Sequence, residues 1–211
     1  MNEKIKFGVC LPIFANPGML FFRTPNFKKL NFKLLEELVL KVEKNKFDSL
    51  FIADHFFLGR QGEIFECISL ISYFLAITKK IYISPIHLCD SFRNPTLVAK
   101  TFSTMSHFSN NRIILFYDYG WRSKEFLNYG YKFLTTKKRI KKMDEGIKII
   151  KGILTKKKFS FNGEFYKIKN VICNPLPKKK IPIWMGESDN SMMIDSIIDN
   201  ADVFNSMPCS L

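Results

Sequence analysis

The sequence predicts an α/β protein of the (β/α)8-barrel type that lacks its last strands. Three observations carry that expectation. Short β-rich runs alternate with longer helical ones, the pattern of βαβ units around a parallel sheet. The first strand is not followed by a G-x-G-x-x-G turn, which a doubly wound nucleotide-binding sheet usually carries. Residues able to do chemistry gather where strands end, at Asp54-His55, His87 to Arg93, Asp118 to Trp121 and Glu187 to Asp189, and a barrel places its functional groups there. The whole chain, residues 1–211, reads as one barrel domain with an inserted hairpin and loop over 158–180.

The elements follow in order. KIKFGVCLP (4–12) supplies the first strand, and a Pro/Gly-containing loop leads to a helix over about 31–46, in which Leu34, Leu35, Leu38 and Val42 recur at helical spacing. DSLFIAD (48–54) is the second strand, followed by a helix over about 64–78. IYISPIHL (81–88) is the third, and its helix opens near Pro95, a favoured first-turn position. RIILFYD (112–118) is the fourth, and a long basic amphipathic helix then covers 136–154. The segment KFSFNGEFYKIKN (158–170) breaks the alternation, because Asn162-Gly163 between two β-rich runs signals a hairpin. IPIWMG (181–186) is strand five, Ser191 to Asn200 its helix, and DVFNS (202–206) strand six.

Composition narrows the function. A hydrophobic share of 46% and a charged share of 25% in 211 residues are those of a folded globular chain with a substantial core. No apolar run reaches the roughly 18 to 20 residues that span a bilayer, and the N-terminus lacks a signal-peptide cleavage pattern, so the expected location is cytoplasmic. Cys10, Cys67, Cys89, Cys173 and Cys209 are odd in number and far apart, which suits free thiols better than a disulfide or metal framework. The net charge of +14 comes mainly from lysine, since six of the 33 basic residues are arginine. Base and phosphate readers favour arginine, and no nucleic-acid motif accompanies the lysine clusters at 137–142, 156–158 and 178–180. A solvated lysine-rich surface is the expectation, with no specific nucleic-acid or membrane partner.

FDSLFIADHFF, LCDSFRNPTLVAKTFSTMSHFSNNRIIL, GW, YGYKF, RIKKMDEGIKIIKGILT, FNGEFYKIKN, CNPLP, PIWMG and NADVFNS follow one another along the chain. Together they resemble the luciferase-like flavin and deazaflavin oxidoreductases, and SFRNP, GW and CNPLP before PIW resemble the branch that uses coenzyme F-420. The resemblance implies a (β/α)8 barrel with an insertion after its fourth helix, and hydride transfer between a deazaflavin (F-420) or flavin (FMN) ring and a small organic substrate. It also implies a homodimer.

Site residues are implied in the same way. Asp54 and His55 match the family's Asp-His pair after the second strand, and an imidazole there suits proton transfer beside hydride chemistry. The family's strained cis peptide behind the ring falls at Pro85-Ile86, where a proline inside a central strand also suggests a bulge. Asp118, Tyr119 and Gly120 fall at the strand end that walls the ring, and Gly186, Glu187 and Ser188 where relatives bind the cofactor phosphate. Trp121 and Tyr129 match positions near the mouth. His87 points either to the barrel interior or to a helix; Arg93 and Asn94 anchor their loop or cap the following helix; His107 is a surface or packing residue.

Three departures accompany the resemblance. Relatives have G-x-G-A-G-W where this chain has FYDYGW, so Phe116 and Asp118 occupy glycine positions with Tyr119 after them, and a Tyr or Phe there either stacks beside the ring or fills its place. Relatives have consecutive glycines after PIW, whose N–H groups bind phosphate; here Glu187 and Asp189 bring like charge, and Ser188 or Asp189 would serve equally as a helix cap. Eight βα units typically take about 250 residues, so open strand edges covered by a second copy or another partner are expected. A non-catalytic barrel acting as a binding or scaffold protein is the alternative reading.

Overall fold

Parallel pairing between short strands, most of them alternating with helices, organises the chain as the alternation predicts. The computed structural model describes residues 4–14, 29–186 and 190–206. Contacts divide it into residues 1–86 and 87–211.

In the first unit, β1 (Gly8–Cys10), β2 (Ser49–Ile52) and β3 (Tyr82–Pro85) form a parallel sheet in that order, with Val9 opposite Leu50 and Leu50 opposite Ile83. Helix α1 (Phe32–Lys44) starts where Asn31 Oδ1 accepts from the Leu34 amide at 3.1 Å. Leu35, Val39 and Val42 are its buried residues, while Leu34 is exposed, so the apolar stripe is rotated by about one residue from the predicted one. At the end of the helix Glu43 Oε1 accepts the amides of Lys79, Lys80 and Ile81 at 2.9, 2.7 and 3.1 Å, fastening the approach to β3. Helix α2 (Cys67–Ile77) buries Ile71 and Phe74, and Leu50, Ile52 and Ile83 are buried with them. Each such side chain contributes roughly 1.5–3 kcal/mol on leaving water.

Pro85 ends β3 in register with Ile52, without the predicted bulge. The next amide, Ile86, donates to Ile52 O at 2.7 Å. Alternation therefore turns the Pro85 nitrogen away from β2, where a missing N–H breaks no ladder bond. Among the described residues the cis peptide bond is Asn174-Pro175, not the expected Pro85-Ile86.

The predicted third strand, 81–88, is in fact two. Its second half, β4 (Leu88–Cys89), pairs within the second unit in the parallel order β4, β5 (Leu115–Asp118), β8 (Ile183–Gly186), β9 (Val203–Asn205). Helix α3 (Pro95–Phe108) has proline in its first turn, and Asn94 Oδ1 accepts from the Thr96 amide at 2.9 Å, so Asn94 is a cap. A short helix α4 (Ser123–Asn128) and the long α5 (Thr136–Thr155) follow β5, and α6 (Ser191–Asn200) follows β8. The cap of α6 is Asn190, whose Oδ1 accepts from Met192 N at 3.0 Å, rather than Ser188 or Asp189, which lie outside the described residues. His107 lies 2.9 Å from Leu176 O, and Ser103 Oγ donates to Pro175 O at 2.6 Å. Together they tie the CNPLP segment to α3.

The inserted ribbon is β6 (Phe159–Asn162) paired antiparallel with β7 (Lys167–Val171). Its turn is held from outside: Glu145 on α5 accepts the amides of Glu164, Phe165 and Tyr166 at 2.8, 2.9 and 3.1 Å. A Cβ on Gly163 would stand 2.3 Å from Glu145 Oε2, so that carboxylate requires the glycine. Among the described residues no helix is long and apolar enough to cross a membrane, and Cys10, Cys67, Cys89 and Cys173 are not joined in disulfides.

Replacing Glu145 by alanine leaves three turn amides without their acceptor. The expected loss is about 2 kcal/mol, the range for hydrogen bonds to a charged group, read from urea unfolding of Glu145→Ala beside the wild type.

Candidate functional site at the ends of β4, β5 and β8

Successive residues of a strand face opposite sides of a sheet. In β5 this sends Tyr117 towards α5 and turns Phe116 and Asp118 to the other face. The register places Trp184 opposite Phe116 and Leu88 opposite Tyr117, so His87, just before Leu88, shares the face of Phe116. The His87 and Phe116 rings meet edge to face, with centroids 4.2 Å apart. His87 Nδ1 lies 3.6 Å from Asp118 Oδ2, while Asp118 Oδ1 accepts from the Tyr119 amide at 2.6 Å. His87 thus faces the sheet side away from α5, which decides between the two orientations the sequence allowed.

The pair suits chemistry. His87 is 34% exposed and Asp118 21%, so solvent and a ligand can reach both. An imidazole with a carboxylate beside one nitrogen can hold or release a proton near neutral pH. A Cβ on Gly186, at the end of β8, would stand 3.3 Å from His87 Nε2. The bare backbone there leaves room over the imidazole that any side chain would take. A partly exposed polar pair stands over the buried Phe116 ring and beside the bare backbone of Gly186.

Beyond β5 the chain turns at Gly120, with φ of +74°, where a Cβ would stand 2.5 Å from Cys89 Sγ and 2.9 Å from Phe126. Only glycine takes that conformation cheaply in so little space. Arg139 on α5 donates from Nε to Gly120 O at 3.1 Å, with its guanidinium 4.0 Å from the Phe133 ring and 5.6 Å from that of Tyr119. Burial holds its pKa below the ordinary arginine value. Its charge clamps the turn on which Tyr119 and Gly120 sit.

On the α5 side of the sheet lies a buried carboxylate, Asp90. Its Oδ1 accepts from the Tyr117 hydroxyl at 2.7 Å, its Oδ2 from Lys142 Nζ at 3.0 Å, and the Tyr166 hydroxyl lies 3.3 and 3.2 Å from the two oxygens. Gly146 permits this, because a Cβ there would stand 2.3 Å from Asp90 Oδ1 and 2.8 Å from the Tyr117 hydroxyl. Burial raises the Asp90 pKa against the opposing pull of Lys142 and the two tyrosine hydrogen bonds. Burial and the nearby carboxylate raise both Tyr117 and Tyr166, so their hydroxyls remain donors.

Of the residues predicted from sequence, Asp118, Tyr119, Gly120 and Gly186 meet at these strand ends, with His87. Asp54, which is buried, and half-buried His55 follow β2 in the first unit, where Pro85 ends β3 and Ile86 follows it. Glu187 and Ser188 lie outside the described residues. Trp121 and Tyr129 are exposed. Sequence reasoning held Asp90 only within the run His87 to Arg93 and missed Tyr117, Lys142, Tyr166 and Arg139. The available sign was charge on the apolar face of α5, where Arg139 and Glu145 are buried among Ile140, Met143 and Ile147.

The family model described as luciferase-like monooxygenase matches residues 5–207. An F420-dependent glucose-6-phosphate dehydrogenase of Amycolatopsis mediterranei is 28% identical over 154 residues, 72% of this chain and 46% of that protein. An FMNH(2)-dependent dimethylsulfone monooxygenase of Pseudomonas putida is 25% identical over 181 residues, 85% of this chain and 49% of its own length. The chain therefore spans about half the length of these relatives. Among solved structures, an F420-dependent secondary alcohol dehydrogenase in complex with an F420-acetone adduct has a TM-score of 0.80 at 19% identity, over 97% of this chain and 58% of its own. The EDTA monooxygenase of Chelativorans sp. BNC1 has a TM-score of 0.83 at 14% identity, over 99% and 57%. The fold is that of the luciferase-like barrel proteins.

Asp90 gives a pH-dependent contribution to stability whose sign is fixed. Its folded pKa lies above the unfolded one, near 4, so the unfolded chain releases this proton first as pH rises. The contribution is full below the unfolded value and is lost as pH rises through the folded one. Asp90→Asn has no such term, so the stability of the wild type relative to Asp90→Asn is expected to fall across that window in urea unfolding at a series of pH values.

Proposed function

Because the chain belongs to the luciferase-like monooxygenase family, we propose that it is an oxidoreductase whose strand ends hold a deazaflavin (F-420) or flavin (FMN) ring against a small organic substrate. The observation that carries this reading is the partly exposed His87–Asp118 pair beside the bare backbone of Gly186. Relatives named for F420 and for FMNH(2) support the cofactor class. When bound, such a ring gives or accepts a hydride. His87 holds or delivers the proton that must accompany hydride movement at a carbonyl or alcohol, and Asp118 offers the imidazolium a counter-charge. Phe116, wholly buried, backs the His87 ring, and Tyr119 and Gly120 serve as wall. By the family match we also propose Asp54 and His55, after β2 in the first unit, for acid-base work, and the Pro85-Ile86 backbone for the support of a ring.

A second reading is favoured by Phe116, which is wholly buried at a position where the family pattern has glycine. In that reading the aromatic side chain takes the space of the ring, and the protein binds a partner without turnover.

Titration with FMN and with coenzyme F-420, followed by ring fluorescence, separates the two. The oxidoreductase reading expects micromolar affinity for one ring, weakened about tenfold, or ~1.4 kcal/mol, in His87→Ala, with His55→Ala tested alongside. No affinity for either ring in the folded wild type contradicts it and supports the filled site.

A further inference from the structure

Strand β4 has two residues, Leu88 and Cys89, and so short a ladder holds its own register weakly. The candidate site depends on that register. A slip by one residue would turn His87 to the opposite face, away from Asp118, and would carry Cys89 off the close seat its sulfur has against Gly120.

What fixes the register lies one residue past the strand. Asp90 Oδ1 accepts from the hydroxyl of Tyr117, the residue paired with Leu88. The bond therefore crosses the same two strands as the ladder, on the side facing α5. Lys142 closes the other oxygen, and Tyr166, from the inserted ribbon, reaches both. A side chain at Gly146 would collide with this bond at both of its ends. The cluster holds no exposed carboxylate and none of the space beside Gly186, so it has no evident part in contacting a ligand.

We propose that Asp90 is a positioning residue for the His87–Asp118 pair, stapling β4 to β5 through the Tyr117 hydroxyl. The inference rests on the proposed function only for the pair's use; the staple acts in the protein without a ligand. It requires a hydrogen-bond acceptor at position 90 rather than a charge. Asparagine, which keeps Oδ1, preserves it, whereas alanine at 90 or phenylalanine at 117 removes it.

Imidazole NMR tests this directly, because the chain has three histidines, His55, His87 and His107, assignable by single His→Gln variants. His107, held at Leu176 O on α3, is the internal control. At a fixed pH, Tyr117→Phe and Asp90→Ala are expected to shift the His87 signals and leave those of His107 in place, while Asp90→Asn stays near the wild type at His87. Unmoved His87 signals in folded Tyr117→Phe overturn the proposal, as does a shift in Asp90→Asn as large as that in Tyr117→Phe. Should Asp90→Ala fail to fold, the other two variants decide. Ring affinity of the wild type, measured in the same samples, is read separately: its absence contradicts the oxidoreductase reading and leaves the NMR result on the staple standing.

Discussion

The close approach of α5 to the end of β5, with the Asp90 carboxylate caught between them, is the constraint on which the second unit depends. Helix and strand meet there because residue 146 has no side chain. Into that gap come a hydroxyl from β5, an ammonium from α5 and a hydroxyl from the inserted ribbon, all on one carboxylate. A buried carboxylate without such donors would cost several kcal/mol; with them it ties three elements together. Also on α5, Glu145 fastens the ribbon's turn and Arg139 clamps Gly120. Helix α5 thus positions both the strand-end loop and the insertion.

The same arrangement explains how β5 serves structure and chemistry at once. Tyr117 points into the buried network, while its neighbours Phe116 and Asp118 face the other side with His87 and Trp184. What holds the strand and what the strand presents are separated by alternation alone. At this strand end the chain has a buried phenylalanine and a carboxylate that engages an imidazole. The surface presented is acid-base in character, with the Phe116 ring buried beneath it.

Much of the fold was legible because its signals are local. Helix α6 begins and ends where the sequence placed it, and α5 and α3 begin where it placed them, since Pro95 and helical spacing act within a few residues. The break in IYISPIHL was not legible: the run is nearly all apolar, and the change of sheet after Pro85 is decided by pairing with β2 and β5. The stripe of α1 was misjudged by one residue because four leucines and two valines offer two overlapping helical faces. At the strand ends, Asp118, Tyr119, Gly120 and Gly186 were named from motifs and lie at the ends of β5 and β8, and His87 was noticed without an orientation. The links of Asp90 to Lys142 and Tyr166 escaped because they span 52 and 76 residues, a separation over which periodicity carries no information.

Everything proposed for the chemistry turns on whether the face shared by His87, Phe116, Asp118 and Gly186 receives a flat redox ring. Hydrogen–deuterium exchange with and without FMN or coenzyme F-420 answers this, because it locates protection as well as detecting it. Slower exchange is expected in peptides covering 87–93, 115–121 and 181–186, with the β6–β7 ribbon unchanged. Protection confined to the ribbon or to α6, or none at saturating ring, would rule the ring out of this face.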